Sequence, residues 1–307
     1  MKTTLRILAV LLTAGGLLGF DASGQSWMTN GLVAYYPFNG NANDAAGTNN
    51  GVVNGATLTT NRFGISNSAY YFNGTNNYIE LASSTNVFGS KDYSISLWFN
   101  SLALPNFSIP SQAACCLISK GQNNFELLTG SSTSALGMHF LPRSASGNDW
   151  NTPASTYQTN VWQNVIAIYK PSTTNVYVFL NGSNLILSGP SLTPIGLDKT
   201  NSARLGFRTD GTLPFKGSIS SVRIYNRALS TSEVSQLYAT ESMPPNLGIT
   251  YFSNAPVVIH PTITGSGGTL MMATNLNSPS WVPVTNYVPF TGYQILSAPT
   301  NAFFKLQ

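Results

Sequence analysis

The chain has 307 residues, 42% of them hydrophobic and only 8% charged, with 14 Lys and Arg against 10 Asp and Glu for a formal charge of +4. The basic residues are scattered singly, which excludes the charged stripe of a nucleic-acid binder. An aromatic share of 11% with repeated apolar alternation supplies enough surface for burial to exclude a disordered chain.

Residues 1–24 read as a removable export signal. Lys2 and Arg6 precede the uncharged apolar run 7–20, and Ala22-Ser23-Gly24 places small residues before a cut at Gln25. That run is too short for a comfortable bilayer-spanning helix, and no second stretch of spanning length follows. The expectation is an exported protein, secreted, periplasmic or at the cell surface, with no membrane span after cleavage. Cleavage removes Lys2, Arg6 and Asp21, lowering the formal charge by one, from +4 to +3.

From residue 32 onward, short alternating runs are bounded by Gly, Asn, Ser or Pro, the pattern of an all-β sandwich. Residues 93–99 show it best, with Tyr93, Ile95, Leu97 and Phe99 on one face and Ser94, Ser96 and Trp98 on the other. Cys115 and Cys116 follow on a strand. Export leaves two states open for them, a vicinal disulfide or two small buried residues. Residues 164–169 and 176–180 are further strands, the latter entering an Asn181-Gly182 hairpin before 185–187. Roughly a dozen strands fit before Tyr225, enough for two packed sheets.

In the last strand, Val222 and Ile224 share one face and Arg223 and Tyr225 the other. Ile219 is out of step with Val222, which predicts a bulge near Ser220-Ser221. The only convincing helix follows, opened by the capping box Ser230-Thr231-Ser232-Glu233, with Leu229, Val234, Leu237 and Tyr238 as its apolar stripe. Met243-Pro244-Pro245 then ends it. The division is therefore a signal over 1–24, a β-sandwich domain over 25–242, and a small β-rich module over 243–307. Strands of the module are expected at 250–252, 257–259, 270–273, 281–284 and 293–296, with a terminal FFKLQ.

The segments GLVAYYPFNGNANDAAGTNNGVVNGA, YSISLWFN, VWQNVIAIY, VYVFLNG and FKGSISSVRIYNRALSTSEV occur in this order over residues 31–239. Together they resemble laminin G-like domains of the concanavalin A-like jelly-roll superfamily. The resemblance implies a secreted jelly-roll used in carbohydrate binding or adhesion, with a glycan as ligand or a cell-surface or matrix protein as partner. It also implies a calcium position formed by Asp44, with Asn43, and the strand position occupied here by Ser220. Relatives usually carry one or two aspartates where this chain has Ser220-Ser221, and calcium takes six to eight oxygens, with carboxylates providing most of the charge. The site is thus either weakened or lost, and Asp44 alternatively caps a turn.

The superfamily also contains glycoside hydrolases, which need two carboxylates ~5–9.5 Å apart. No acidic pair here shares a strand face at i, i+2 or i+4; Glu80, Asp92 and Glu126 stand singly. There is no GxSxG elbow, and His139 and His260 lie far apart in sequence. A non-enzymatic binding protein is the reading. Asp149, Trp150 and Asn151, with Tyr157 close behind, best match a sugar site, since a flat aromatic covers sugar C–H groups while Asp and Asn meet hydroxyls. Trp150 either stands exposed in a loop or folds back over the sandwich edge. Asp210, in a second turn, is the remaining sugar-site candidate.

Overall fold

A computed structural model describes residues 27–81, 91–120, 125–131, 134–142, 150–153, 156–189, 202–244, 246–251, 259–264, 270–273, 282–283 and 303–306. The signal segment 1–24, Asp149 and the expected strand 293–296 lie outside them, as do residues 252, 257–258, 281 and 284 of other expected strands. The first half of the sandwich contributes β1 (Leu32–Tyr36), β2 (Gly51–Asn54), β3 (Thr57–Thr59), β4 (Ala69–Asn73), β5 (Tyr78–Leu81), β6 (Tyr93–Ser101), β7 (Cys115–Lys120) and β8 (Phe125–Ser131). The second half adds β9 (Ser134–Leu141), β10 (Trp150–Asn151), β11 (Trp162–Lys170), β12 (Asn175–Leu180), β13 (Ser183–Asn184), β14 (Ala203–Leu205) and β15 (Lys216–Tyr225). They form two antiparallel sheets. One runs β13-β12-β11-β6-β15-β4-β3 with β1 also paired to β15, and the other runs β10-β9-β8-β7-β14-β5-β2. No helix among the described residues is long and apolar enough to cross a membrane.

Period-two alternation decides what lies between the sheets. Tyr93, Ile95, Leu97 and Phe99 of β6 enter one continuous core with Ile79, Leu81, Ile118, Leu127, Phe140 and Leu205 of the facing sheet. Tyr93 meets Phe125 edge-on at 5.6 Å, Phe125 meets Phe140 at 5.9 Å, and the Tyr93 hydroxyl donates to the Pro142 carbonyl at 2.6 Å. Each large side chain buried this way contributes about 1.5–3 kcal/mol over its exposed state. Gly206, at φ 83°, packs directly on the Phe72 ring, so a side chain there meets both a steric and a backbone penalty.

The outer face of the β15 sheet is covered by α1 (Thr231–Ser242). Its capping box forms as the sequence predicts: the Glu233 amide donates to Ser230 Oγ at 3.3 Å, and the Ser230 amide donates to Glu233 Oε2 at 2.7 Å. Val234 and Leu237 bury against Ile166, Ile168 and Phe179, and Tyr238 stacks on Trp98 at 5.9 Å. The predicted bulge is present, with the pairing of β15 and β6 shifting between Ser220 and Arg223 and Ser221 at φ 50°.

Two sequence expectations change. Among the described residues fifteen strands precede α1 rather than about a dozen, because edge pieces such as β10 and β13 have only two residues. The Asn181-Gly182 turn forms with positive φ at both residues, but its second strand is Ser183–Asn184 rather than 185–187. Of the two states left open for Cys115 and Cys116, the structure has free thiols. Strand alternation explains this: Cys115 joins the interior core, while Cys116 joins Ala114, Leu128 and Leu213 on the opposite face.

Beyond α1, β16 (Asn246–Tyr251) pairs with β17 (Ile259–Thr264), and β18 (Leu270–Ala273) lies between β19 (Val282–Pro283) and β20 (Phe303–Leu306). β17 contains Pro261, which lies beyond the expected strand 257–259. A two-stranded sheet has only edges, so a missing N–H is tolerated there.

Candidate ligand-binding face

Cross-strand partners share a sheet face. In the sheet of β2, β5, β14, β7, β8 and β9, one row reads Val52, Glu80, Arg204, Ser119, Glu126 and Leu141. The neighbouring row, containing Ile79, Leu205, Ile118, Leu127 and Phe140, points into the core. The polar row therefore lies on the outer face. His139 and Asn151 join it, since they pair with each other and His139 pairs with Leu128, two residues from Glu126.

Two linked clusters occupy this face. In the first, the half-buried Tyr78 carries the Arg204 guanidinium 4.3 Å above its ring, with Phe207 tilted alongside at 6.5 Å. Arg204 Nη2 donates to Glu80 Oε2 at 3.3 Å, while Nη1 donates to the Thr209 carbonyl at 3.4 Å. Tyr78 and Glu80 reach the same face because they alternate with the buried Ile79 and Leu81.

The second cluster is built on the turn after β14, where Gly211 takes φ 80° and donates to the Arg208 carbonyl. Arg208 grips Asp210 through two bonds, Nε to Oδ1 at 3.0 Å and Nη2 to Oδ2 at 2.7 Å. It also reaches Glu126 Oε2 at 3.5 Å. Burial raises the Asp210 carboxyl, but Arg208 and the Thr212 hydroxyl and amide outweigh it and hold it below the usual carboxylate range. Burial opposes the Arg208 charge too, and Asp210 and Glu126 overcome it to raise its pKa.

The sequence-predicted sugar residues separate. Asn151 lies on this face at the edge strand, and Asp210 belongs to the second cluster. Trp150 points the other way: its half-buried ring packs against the core from the inner row opposite Phe140. Tyr157 is a correction. Only 1% exposed, it meets Phe99 at 6.0 Å inside the sandwich, so it presents no ring to a ligand. The sequence reading passes over Tyr78, Arg204 and Arg208, and treats Glu80 and Glu126 as isolated. Its available signal was a polar residue between apolar neighbours in YIEL, ARL and FELL; strand order alone places them side by side.

The residues of the implied calcium position do not fit the ion. Asp44 Oδ1 already accepts from the Tyr35 and Ala46 amides, both at 2.9 Å, and Oδ2 accepts from the Asn49 amide at 3.2 Å. Asn43 is exposed, its amide tied to Asn41. Ser220 Oγ donates to the Ser68 carbonyl, and Arg62 places a cation 3.3 Å from the adjoining Ser221 hydroxyl. Calcium takes six to eight oxygens with carboxylates to balance its charge, and an adjacent cation repels it. Among the described residues, no group of three His, Cys, Asp or Glu side chains is arranged to hold a metal.

Two packed antiparallel sheets in this order, one face closed by a helix and the other lined with polar side chains, define a jelly-roll of the lectin type. The chain belongs to the Concanavalin A-like lectin/glucanases superfamily, whose Laminin_G_3 profile matches residues 73–235. No curated protein sequence matches it. Among solved structures, domain 4 of AbnA, a GH43 extracellular arabinanase from Geobacillus stearothermophilus in complex with arabinotriose, is similar at 21% identity and TM-score 0.53, over 67% of this chain and 98% of that one. Trypanosoma rangeli sialidase in complex with the inhibitor DANA is similar at 14% identity and TM-score 0.52, over 69% of this chain but only 33% of the sialidase. The HCR/D W1238A mutant shares 14% identity at TM-score 0.52, over 84% of this chain and 70% of that one. These likenesses are of fold.

Proposed function

We propose that this protein is an exported, non-catalytic recognition protein that binds a glycan along the outer face of the β5–β14–β8 sheet. The observation that carries this reading is the Tyr78–Arg204–Glu80 cluster beside Arg208–Asp210. An aromatic face covers sugar C–H groups, and fixed charged groups beside it bond hydroxyls. Family membership supports the ligand class, as does the arabinotriose complex of AbnA domain 4. A non-catalytic role is supported by Arg208, which ties Glu126 and Asp210 into ion pairs, where a glycosidase acid must keep its proton.

A glycan array probed with the purified protein tests the ligand class. Binding to a defined polysaccharide family is the predicted result; an array without any signal overturns it. Release of reducing sugar from a bound polysaccharide would refute the non-catalytic part.

A second reading, a structural or adhesive protein with a protein partner, is favoured by one observation. Leu102, Leu104, Phe107 and Ile109 are each 41–48% exposed on a single uncharged loop, an apolar patch of the kind that meets partners.

A further inference from the structure

The chain entering α1 crosses the outer face of β11 and β12 and leaves a cleft of about 320 Å3 on the side of the sandwich opposite the glycan face. Its floor is apolar, made by the buried Ile168, Phe179 and Leu229. Tyr177, the cross-strand partner of Ile168, stands half-buried beside them with its ring tilted against Phe179 at 6.5 Å.

The cleft is held open by bonds that leave its rim groups free. The Leu229 amide donates to Ser94 Oγ at 2.9 Å, and that hydroxyl donates to the Arg227 carbonyl at 2.9 Å, pinning the crossing chain to β6. Arg227 takes both oxygens of Glu233, at 2.8 and 2.9 Å, and Glu233 also accepts the Ser230 amide. The acidic charge at the rim is thereby neutralised, and the helix start has its cap. Among the described residues, the Lys170 ammonium, the Tyr177 phenol and the Thr231 hydroxyl bond to no protein group. All three can donate hydrogen bonds, and one is a cation.

We propose that this cleft binds a carboxylate carried on a single ring with an apolar face. The volume is at the low end for ligand pockets, so it takes one ring rather than a chain. The ring lies on Ile168 and Phe179 against Tyr177, and its carboxylate meets Lys170. A uronic acid is the form in which an exported glycan binder would meet this chemistry, and a simple cyclic acid has the same features. The cleft is separate from the glycan face, and only the choice of a uronic acid rests on the proposed glycan-binding role.

Calorimetric titration of the full chain with methyl glucuronide, methyl glucoside and cyclohexanecarboxylate tests it. Binding of methyl glucuronide but not of the uncharged glucoside, weakened about tenfold or more by Lys170→Gln, is the predicted result. Binding of cyclohexanecarboxylate alone keeps the carboxylate cleft and overturns the uronic acid as its source. Binding of neither acid, or acid binding unchanged in Lys170→Gln, overturns the proposal. Tyr78→Ala lies on the other face and leaves this binding unchanged, so the failure of one site is separable from failure of the other.

Discussion

Arg223 and Glu241 form an ion pair of 2.7 Å with both side chains wholly buried beneath the end of α1. Glu241 Oε2 also accepts from Trp98 Nε1 at 2.7 Å, and the Arg223 guanidinium lies 3.6 Å from the centre of the Tyr35 ring. Arg62 adds two bonds to the Glu241 carbonyl, at 2.9 and 2.7 Å, and covers the Trp98 ring at 4.2 Å. The helix is thus fastened to β15, β6 and the 61–65 turn by one charged network.

Breaking such a pair leaves a buried charge without its counter-ion. Glu241→Ala is predicted to cost about 3–5 kcal/mol, while Arg223→Met combined with Glu241→Leu costs less than the sum of the single changes. Urea unfolding of the three variants checks this. A Glu241→Ala loss within about 1 kcal/mol would show that the pair is not the fastening.

Asp44 organises the first long loop through the backbone amides of Tyr35, Ala46 and Asn49. Asp44→Ala is predicted to lower stability by about 2 kcal/mol, because amides lose their acceptor. The melting temperature is predicted to be the same in EDTA as in millimolar calcium. A rise with calcium that Asp44→Ala abolishes would restore the metal site.

Burial pushes the Cys115 thiol up to about 11 and the Cys116 thiol further still. Both are therefore protonated and shielded, and native protein at about pH 8 is predicted to react with an aromatic disulfide reagent only on unfolding. Two thiols titrated in urea agree with this; none, with a mass two hydrogens lower, would reveal a vicinal bridge.

Burial acts to raise the Glu233 carboxyl, but Arg227 and the Ser230 amide prevail and hold it below its ordinary value of 4.5. A depressed carboxylate stabilises the fold above its unfolded pKa, and that contribution is lost as pH falls through the folded value. Glu233→Gln is predicted to cost about 1 kcal/mol near neutrality and progressively less as the pH is lowered below 4.5. A cost that stays constant over that range would assign the effect to shape rather than charge.

The fold was legible in the sequence because local rules agree with one another. Alternation in β6 assigns every core face correctly, the Ile219–Val222 mismatch marks a real bulge, and Ser230–Glu233 forms its box. The site was legible only in part. Asp210 and Asn151 are on the outer face, but Trp150 and Tyr157 turn inward, and which way an edge aromatic turns depends on neighbours distant in sequence. Glu80, Arg204 and Glu126 lie on three different strands, and their adjacency is a property of strand order. Glu241, at the end of an amphipathic helix, gave no sign that it would be buried, since its partner Arg223 belongs to another element.

The central claim is that Tyr78 and its neighbours form the glycan-binding surface. Its most direct test is the affinity of wild type and Tyr78→Ala for the strongest array ligand, with melting temperatures as the control. Loss of the aromatic platform is predicted to weaken binding by about tenfold or more while the fold is kept. Equal affinity of the two proteins would contradict the account and move the ligand to another face.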